Sequence, residues 1–157
     1  MELRIRLDAL EDPRIAAFLA QHLADMHRVS PPESVFALDL SELRRPGVRF
    51  WSGWITSGSG EALVAMAALK RLDAAHAELK SMRTAESVRG QGFAQRMLAH
   101  VLDEARAQGF ERLSLETGNQ LFFAPARGLY AKHGFEPCGP FGDYGPDPTS
   151  CFMTRLL

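Results

Sequence analysis

The stretch from Ala77 to Gln108 constrains the fold more than any other part of the chain. Ala77 to Thr84 reads as a buried strand. A short connection, Ala85-Glu86-Ser87-Val88, leads to Arg89-Gly90-Gln91-Gly92-Phe93-Ala94, which opens a helix over Gly92 to Gln108. Phe93, Met97, Leu98, Val101, Leu102 and Ala105 recur on one helical face, and Gly109 follows as a C-cap. Gly90 and Gly92 remove side chains where the backbone turns. The first helical N–H groups lack intrahelical partners and point outward, and the helix dipole adds partial positive charge there. Together these features suit a phosphate or pyrophosphate. An ordinary tight turn carries the same glycines, so the pattern alone leaves both readings open. Two phosphate motifs are excluded. Gly-x-x-x-x-Gly-Lys-Ser/Thr is absent, and the dinucleotide fingerprint fails because Gln95 stands where its third glycine belongs.

The flanking sequence surrounds this unit with strands and helices. Glu2 to Leu7 alternates polar and apolar, as a half-buried strand does. Asp12-Pro13 starts a helix with proline at its first position, and Ser30-Pro31-Pro32 ends it. A second short helix is expected over Glu33 to Leu43. Val48 to Ile55 and Leu63 to Leu72 read as strands about a Ser57-Gly58-Ser59-Gly60 turn, so the first half predicts an antiparallel meander. Arg112 to Thr117 alternates as a strand, Pro125 to His133 reads as a helix closed by Gly134, and Cys151 to Leu156 reads as a last strand. Residues 136–150 carry four prolines and three glycines and are expected as a loop. No repeat or linker interrupts the 157 residues, which predict a single domain.

Composition excludes whole classes of function. Apolar residues make up 46% and charged residues 24%, as in ordinary globular chains. The formal net charge of −1 provides no basic field for nucleic acid or an anionic membrane surface. No run is long and apolar enough for a membrane span, and Met1-Glu2-Leu3-Arg4 lacks a signal-peptide core, so a cytoplasmic location is expected. Cys138 and Cys151 have no Cys or His at ligand spacing, and His22 and His27 are five apart, off the spacing that puts two ligands on one helical face. No metal is therefore expected. Phe50, Trp51 and Trp54 read as sheet packing.

Arg89-Gly90-Gln91-Gly92-Phe93-Ala94 resembles the Arg/Gln-x-x-Gly-x-Gly/Ala motif of the GNAT superfamily of acetyl-CoA-dependent N-acetyltransferases. Downstream, Leu129-Tyr130-Ala131-Lys132-His133-Gly134-Phe135 resembles that family's Leu-Tyr-x-x-x-Gly-Phe motif. The element order fits as well, so the resemblance covers essentially the whole chain. It extends to His27, Ser30 to Ser34, Leu79 to Thr84, Leu115 to Gly118 and Pro140 to Tyr144, which are similar to a bacterial subgroup whose substrates are unassigned. The implied fold is α+β, a mostly antiparallel, splayed sheet flanked by helices.

The resemblance also implies roles. Acetyl-CoA would be the co-substrate, its pyrophosphate held by Arg89, Gly90, Gln91, Gly92, Phe93 and Ala94, with Gln95 adjacent. Its pantetheine arm would pair with Met82, Arg83 and Thr84. The strand before the loop would splay from Arg112 to Thr117, and backbone N–H groups near Met82 would polarise the thioester carbonyl. Tyr130 matches the tyrosine that protonates the departing thiolate in many members. A phenol near pKa ~10 is a suitable donor to a thiol near ~8.5. Glu78 sits on the strand where some members carry a glutamate base, and His27, at the end of the first helix, is its rival. Many members carry Asn seven residues before the tyrosine. That position is Phe123 here, and Asn119 is out of register, so the role does not transfer.

Arg83 lies beside the implied acetyl site and can pair with a substrate carboxylate, or with Glu78 or Glu86 instead. Ser30 to Ser34 and residues 136–150, with Asp143 and Tyr144, would rim the acceptor pocket. The expected acceptor is the primary amine of a small molecule, amino-acid-like or another amine. A peptide or protein amine is the alternative, as is a non-catalytic acyl-CoA-binding regulatory module on the same fold. Many relatives dimerise, so a homodimer is a further expectation.

Overall fold

The computed structural model describes residues 2–157, so Met1 of the N-terminal tetrapeptide lies outside it. Seven strands form one sheet: β1 (Arg4–Leu7), β2 (Val48–Ser57), β3 (Gly60–Arg71), β4 (His76–Thr84), β5 (Arg112–Gly118), β6 (Glu136–Cys138) and β7 (Ser150–Leu156). Their order is β1-β2-β3-β4-β5-β7-β6. Every neighbouring pair is antiparallel except β4 and β5, which run parallel. That parallel pair needs a crossover, and the glycine-opened helix α3 (Phe93–Ala107) supplies it.

Helices cover both faces. On one face α3 and α4 (Ala124–Lys132) bury Met97, Leu98, Val101 and Tyr130 against Leu79, Leu113 and Leu115. On the other, α1 (Pro13–Val29) and α2 (Leu40–Leu43) bury Ile15, Leu19 and Leu43 against Phe50, Trp54 and Met66. The helical spacing of Ile15, Leu19 and His22 puts all three on the buried side of α1. Asp12 caps α1 by accepting from the Arg14 amide at 2.9 Å, with Pro13 in the first turn.

Two segments differ from expectation. The helix expected over Glu33 to Leu43 reduces to a 3-10 turn at Pro32–Ser34 and the single turn α2. Asp39 and Glu42 form a reciprocal capping box, which fixes the start of α2 at Leu40. Residues 35–39 run without helix, so Phe36 reaches the cavity described below while Leu38 enters the core. The loop expected over 136–150 begins as β6, the edge strand beside β7. Pro137 is tolerated there because an edge strand has no second neighbour for its missing N–H.

Candidate active site

The parallel pair opens into a fork. β4 and β5 are paired from His76–Arg112 to Leu79–Leu115 and no further, although both strands continue. β4 also bends at this point. Lys80 faces Ala68 and Arg83 faces Met66 across the β3 ladder, so Ser81 and Met82 together oppose one residue. Ser81 takes φ +54°, uncommon for a side-chain-bearing residue, and its buried hydroxyl has no partner. A cavity of about 560 Å³ fills the fork.

One end of the cavity has a shape that suits an anion. Gly90 (φ +82°) and Gly92 (φ +85°) are left-handed, and a Cβ on either would meet nothing within 4 Å. Gly92 caps α3 without any side-chain hydrogen bond, so no side chain competes for the first helical amides. Arg89, Gly90, Gly92, Phe93, Ala94 and Gln95 line the cavity, as do Met82, Arg83 and Thr84 of β4. Gln91 is exposed and lies off the lining.

Tyr130 lines the middle of the fork from α4 and is 6% exposed. No described residue hydrogen-bonds its hydroxyl. Burial, and then the charge of Glu116, push its pKa above the ordinary phenol value, which keeps the proton on the oxygen. Glu116 enters from β5, accepts from Ser150 Oγ at 2.8 Å and also lines the cavity. Desolvation pushes its pKa above the usual carboxylate range, only partly offset by the Ser150 hydrogen bond and by Lys80.

Glu78 is placed differently. It is 2% exposed and does not reach the lining. Its Oε2 accepts from Lys80 Nζ at 3.2 Å and from the Tyr144 hydroxyl, and Lys80 also donates to Tyr144 at 2.8 Å. Tyr144 stands edge-on to Phe36 and Phe141, with centroids 5.1 Å apart in both pairs, and this fastens the loop after β6 onto the sheet. Asp143 is exposed at the surface of that loop.

His27 is exposed and does not line the cavity; the imidazole that lines it is His22, five residues earlier on α1. Arg83 pairs with Asp25 of α1 at 2.8 Å rather than with Glu78 or Glu86. Asn119 donates to the Pro148 carbonyl at 2.7 Å, and Phe123 packs over Gly118.

His22 is buried, and desolvation followed by the charge of Arg83 lowers its pKa to about 4. A histidine whose folded pKa lies below its unfolded value binds fewer protons folded than unfolded across that interval. Stability therefore falls as pH drops from about 6.5 toward 4. Between pH 6.5 and 5 the expected loss from this residue is about 2 kcal/mol, from 1.36 kcal/mol per pKa unit. Urea unfolding at both pH values checks it, and His22→Gln flattens the dependence; an unchanged slope would refute the assignment.

Comparison with known proteins adds identity to this geometry. The model of the Acetyltransferase (GNAT) family matches residues 15–135. The chain belongs to the GNAT family. It is 46% identical to YsnE of Bacillus subtilis, described as an uncharacterized N-acetyltransferase, over 99% of this chain and 100% of that protein. Among solved structures, a candidate acyl-CoA N-acyltransferase from Klebsiella pneumoniae superposes with TM-score 0.80 at 28% identity, over 99% of this chain and 97% of that one. A GNAT acetyltransferase from Elizabethkingia anophelis, solved with acetyl-CoA bound, shares the fold with TM-score 0.66 at 18% identity, over 99% of this chain and 98% of that one. GNAT membership carries acetyl-CoA-dependent N-acetylation, and the cradle at residues 89–95 suits that co-substrate. Among the described residues no helix is long and apolar enough to cross a membrane, and no cluster of His, Cys, Asp or Glu could hold a metal ion.

Proposed function

We propose that this GNAT domain transfers the acetyl group of acetyl-CoA directly to the primary amine of a small molecule. The observation that carries this reading is the hydrogen-bonded rim on the Glu116 side of the cavity. Three segments meet there and are hydrogen-bonded pairwise. Ser34 donates to both carboxylate oxygens of Asp147 at 2.9 Å, joining the turn after α1 to the loop before β7. Gln120 donates to the Val29 carbonyl at 3.0 Å and to Ser30 Oγ at 3.2 Å, joining the turn after β5 to the end of α1. The Asn119 amide donates to the Thr149 carbonyl at 2.9 Å, joining the turn after β5 to the loop before β7. Phe36 and Phe122 add bulk to the cavity lining. A rim tied together by these hydrogen bonds suits a compact amine better than a polypeptide.

Charge supports an amine. Lys80 is matched by Glu78, and Arg83 by Asp25. Among the described residues Glu116 has no ion-pair partner. A desolvated carboxylate attracts an incoming ammonium and takes its proton, so we assign the base to Glu116. The freed amine attacks the thioester carbonyl, which Met82 backbone N–H and the Ser81 hydroxyl would polarise. The C–S bond breaks, Tyr130 protonates the thiolate, and the tyrosinate recovers its proton from the new amide nitrogen. The proton on Glu116 returns to solvent. Glu78 is left to hold Lys80 and Tyr144 in place, and His27 has no part in this scheme.

Release of CoA thiol from acetyl-CoA, measured against amino acids, polyamines, aromatic amines, aminoglycosides and peptides, tests the reading. At least one small amine is expected to react, with peptides at least tenfold poorer in kcat/KM. A preferred peptide would overturn the acceptor class. Binding of acetyl-CoA with turnover of no amine would favour the non-catalytic acyl-CoA-binding module. Tyr130→Phe is expected to lower kcat about tenfold, within the usual range of a general acid; equal turnover across pH would remove Tyr130 from that role.

A further inference from the structure

The acceptor half holds a second polar wall that the transfer chemistry does not use. His22 and Asp25 stand near one another on α1, and Arg83 reaches them from β4, with its guanidinium over the Phe18 ring at 5.5 Å. His22 and Arg83 both line the cavity, and their exposures are 8% and, for the Arg83 side chain, 9%. Donors outnumber acceptors at this wall. Of the Arg83 nitrogens only Nη1 is engaged, by Asp25 at 2.8 Å, while Nε is buried without a partner. Neither ring nitrogen of His22 has a hydrogen-bond partner among the described residues. Asp25 is itself shared, since Arg28 approaches its other oxygen at 3.5 Å. Arg83 therefore shares its one carboxylate partner with the exposed Arg28. A neutral imidazole is still a donor at one nitrogen, and burial keeps His22 neutral.

We propose that His22 and Arg83 form a subsite for a carboxylate carried by the acceptor, so that the substrate is an amino-carboxylate. This rests on the amine reading above and names the substrate class within it. A carboxylate would accept from both the guanidinium and the imidazole, the charge-assisted arrangement that arginine favours. The wall is also separated from the amine end. Glu116 and Lys80 each follow the last β4–β5 pair by one residue, and Arg83 lies two β3 ladder positions beyond Lys80, from Ala68 to Met66. That is about 7 Å along the strand. The ammonium at Glu116 and the carboxylate at Arg83 therefore belong to two ends of one compact molecule.

Calorimetric titration of the protein saturated with CoA separates this proposal from the transfer reading, because it needs no turnover. The probes are β-alanine, 4-aminobutanoate and 5-aminopentanoate, each against the alkylamine of the same chain length. The best amino-carboxylate is expected to bind at least tenfold more tightly than its alkylamine. His22→Leu and Arg83→Met are each expected to erase the preference, and Arg83→Lys to keep part of it. If Arg83→Met fails to fold, the ring-nitrogen resonances of His22 in the wild type give the second readout: amino-carboxylates shift them and alkylamines do not. Equal affinities, tighter alkylamine binding, or binding of neither class overturns the subsite. Turnover of alkylamines and amino-carboxylates at equal rates leaves the transferase and removes the subsite. Amino-carboxylate binding without thiol release keeps the subsite and removes the transferase.

Discussion

Glu116→Gln is expected to lower kcat/KM by about two to three orders of magnitude, the range of a lost general base. The substitution keeps the size of the side chain, and the new amide oxygen can still accept from Ser150, so folding should be preserved. Only proton acceptance is removed. In the wild type, burial pushes the Glu116 carboxyl above its ordinary range. Activity requires the carboxylate form, so the rate falls as pH drops through that raised value. In Glu116→Gln this acid limb disappears along with most of the activity. Glu78→Gln is expected to retain the limb, since Glu78 is spent on Lys80 and Tyr144 and does not line the cavity. A pH–rate profile of the three proteins decides the matter. Loss of the limb in Glu78→Gln with its survival in Glu116→Gln would transfer the base to Glu78, acting through its hydrogen-bonded neighbours. Loss of the limb in His27→Ala alone would transfer it to an exposed helix end.

What the sequence revealed, and what it hid, follows from the range of the interactions involved. The cradle at residues 89–95 was legible because strand, glycines and amphipathic helix are contiguous, and local backbone chemistry alone makes a shape suited to an anion. Tyr130 was legible because its motif is contiguous too. Glu116 was hidden in Leu115-Glu116-Thr117, where strand alternation makes a glutamate look like any solvent-facing position. The role proposed for it depends on β5 parting from β4, and no residue of β5 by itself encodes that parting. His22 was hidden for a similar reason. It occupies the buried face of α1, where a histidine reads as packing, and only the approach of Arg83 across 61 positions of sequence gives it a polar neighbourhood. The Arg83–Asp25 pair likewise joins α1 to β4, whereas charge proximity in sequence had suggested Glu78 or Glu86. The edge strand β6 was masked by Pro137, which is unfavourable in a strand except at an edge.

Gly118→Ala is expected to destabilise the fold by about 3 kcal/mol, at the upper end for overpacking by one methyl group. The backbone at Gly118 is not left-handed, so alanine carries no conformational penalty there. The cost is steric. A Cβ would lie 2.2 Å and 2.4 Å from the Phe123 ring and 2.3 Å from Gln120 Oε1. Neither neighbour retreats cheaply. Gln120 Nε2 is committed to the end of α1, and the backbone of the turn is pinned by Arg127, which donates to the Gly118 and Gln120 carbonyls at 2.7 Å and 2.9 Å. Phe123 also occupies the position where the family resemblance leads one to expect asparagine, so glycine at 118 and phenylalanine at 123 form a matched pair. A double-mutant cycle tests the match. Phe123→Ala should absorb most of the cost of Gly118→Ala, giving a coupling of about 1–3 kcal/mol in urea unfolding, as expected for residues in contact. Additive effects would show that the clash is relieved elsewhere. Because Phe123 lines the same cavity as Tyr130, Gly118→Ala should also raise the KM for acetyl-CoA, and Phe123→Ala in the same chain should lower it again.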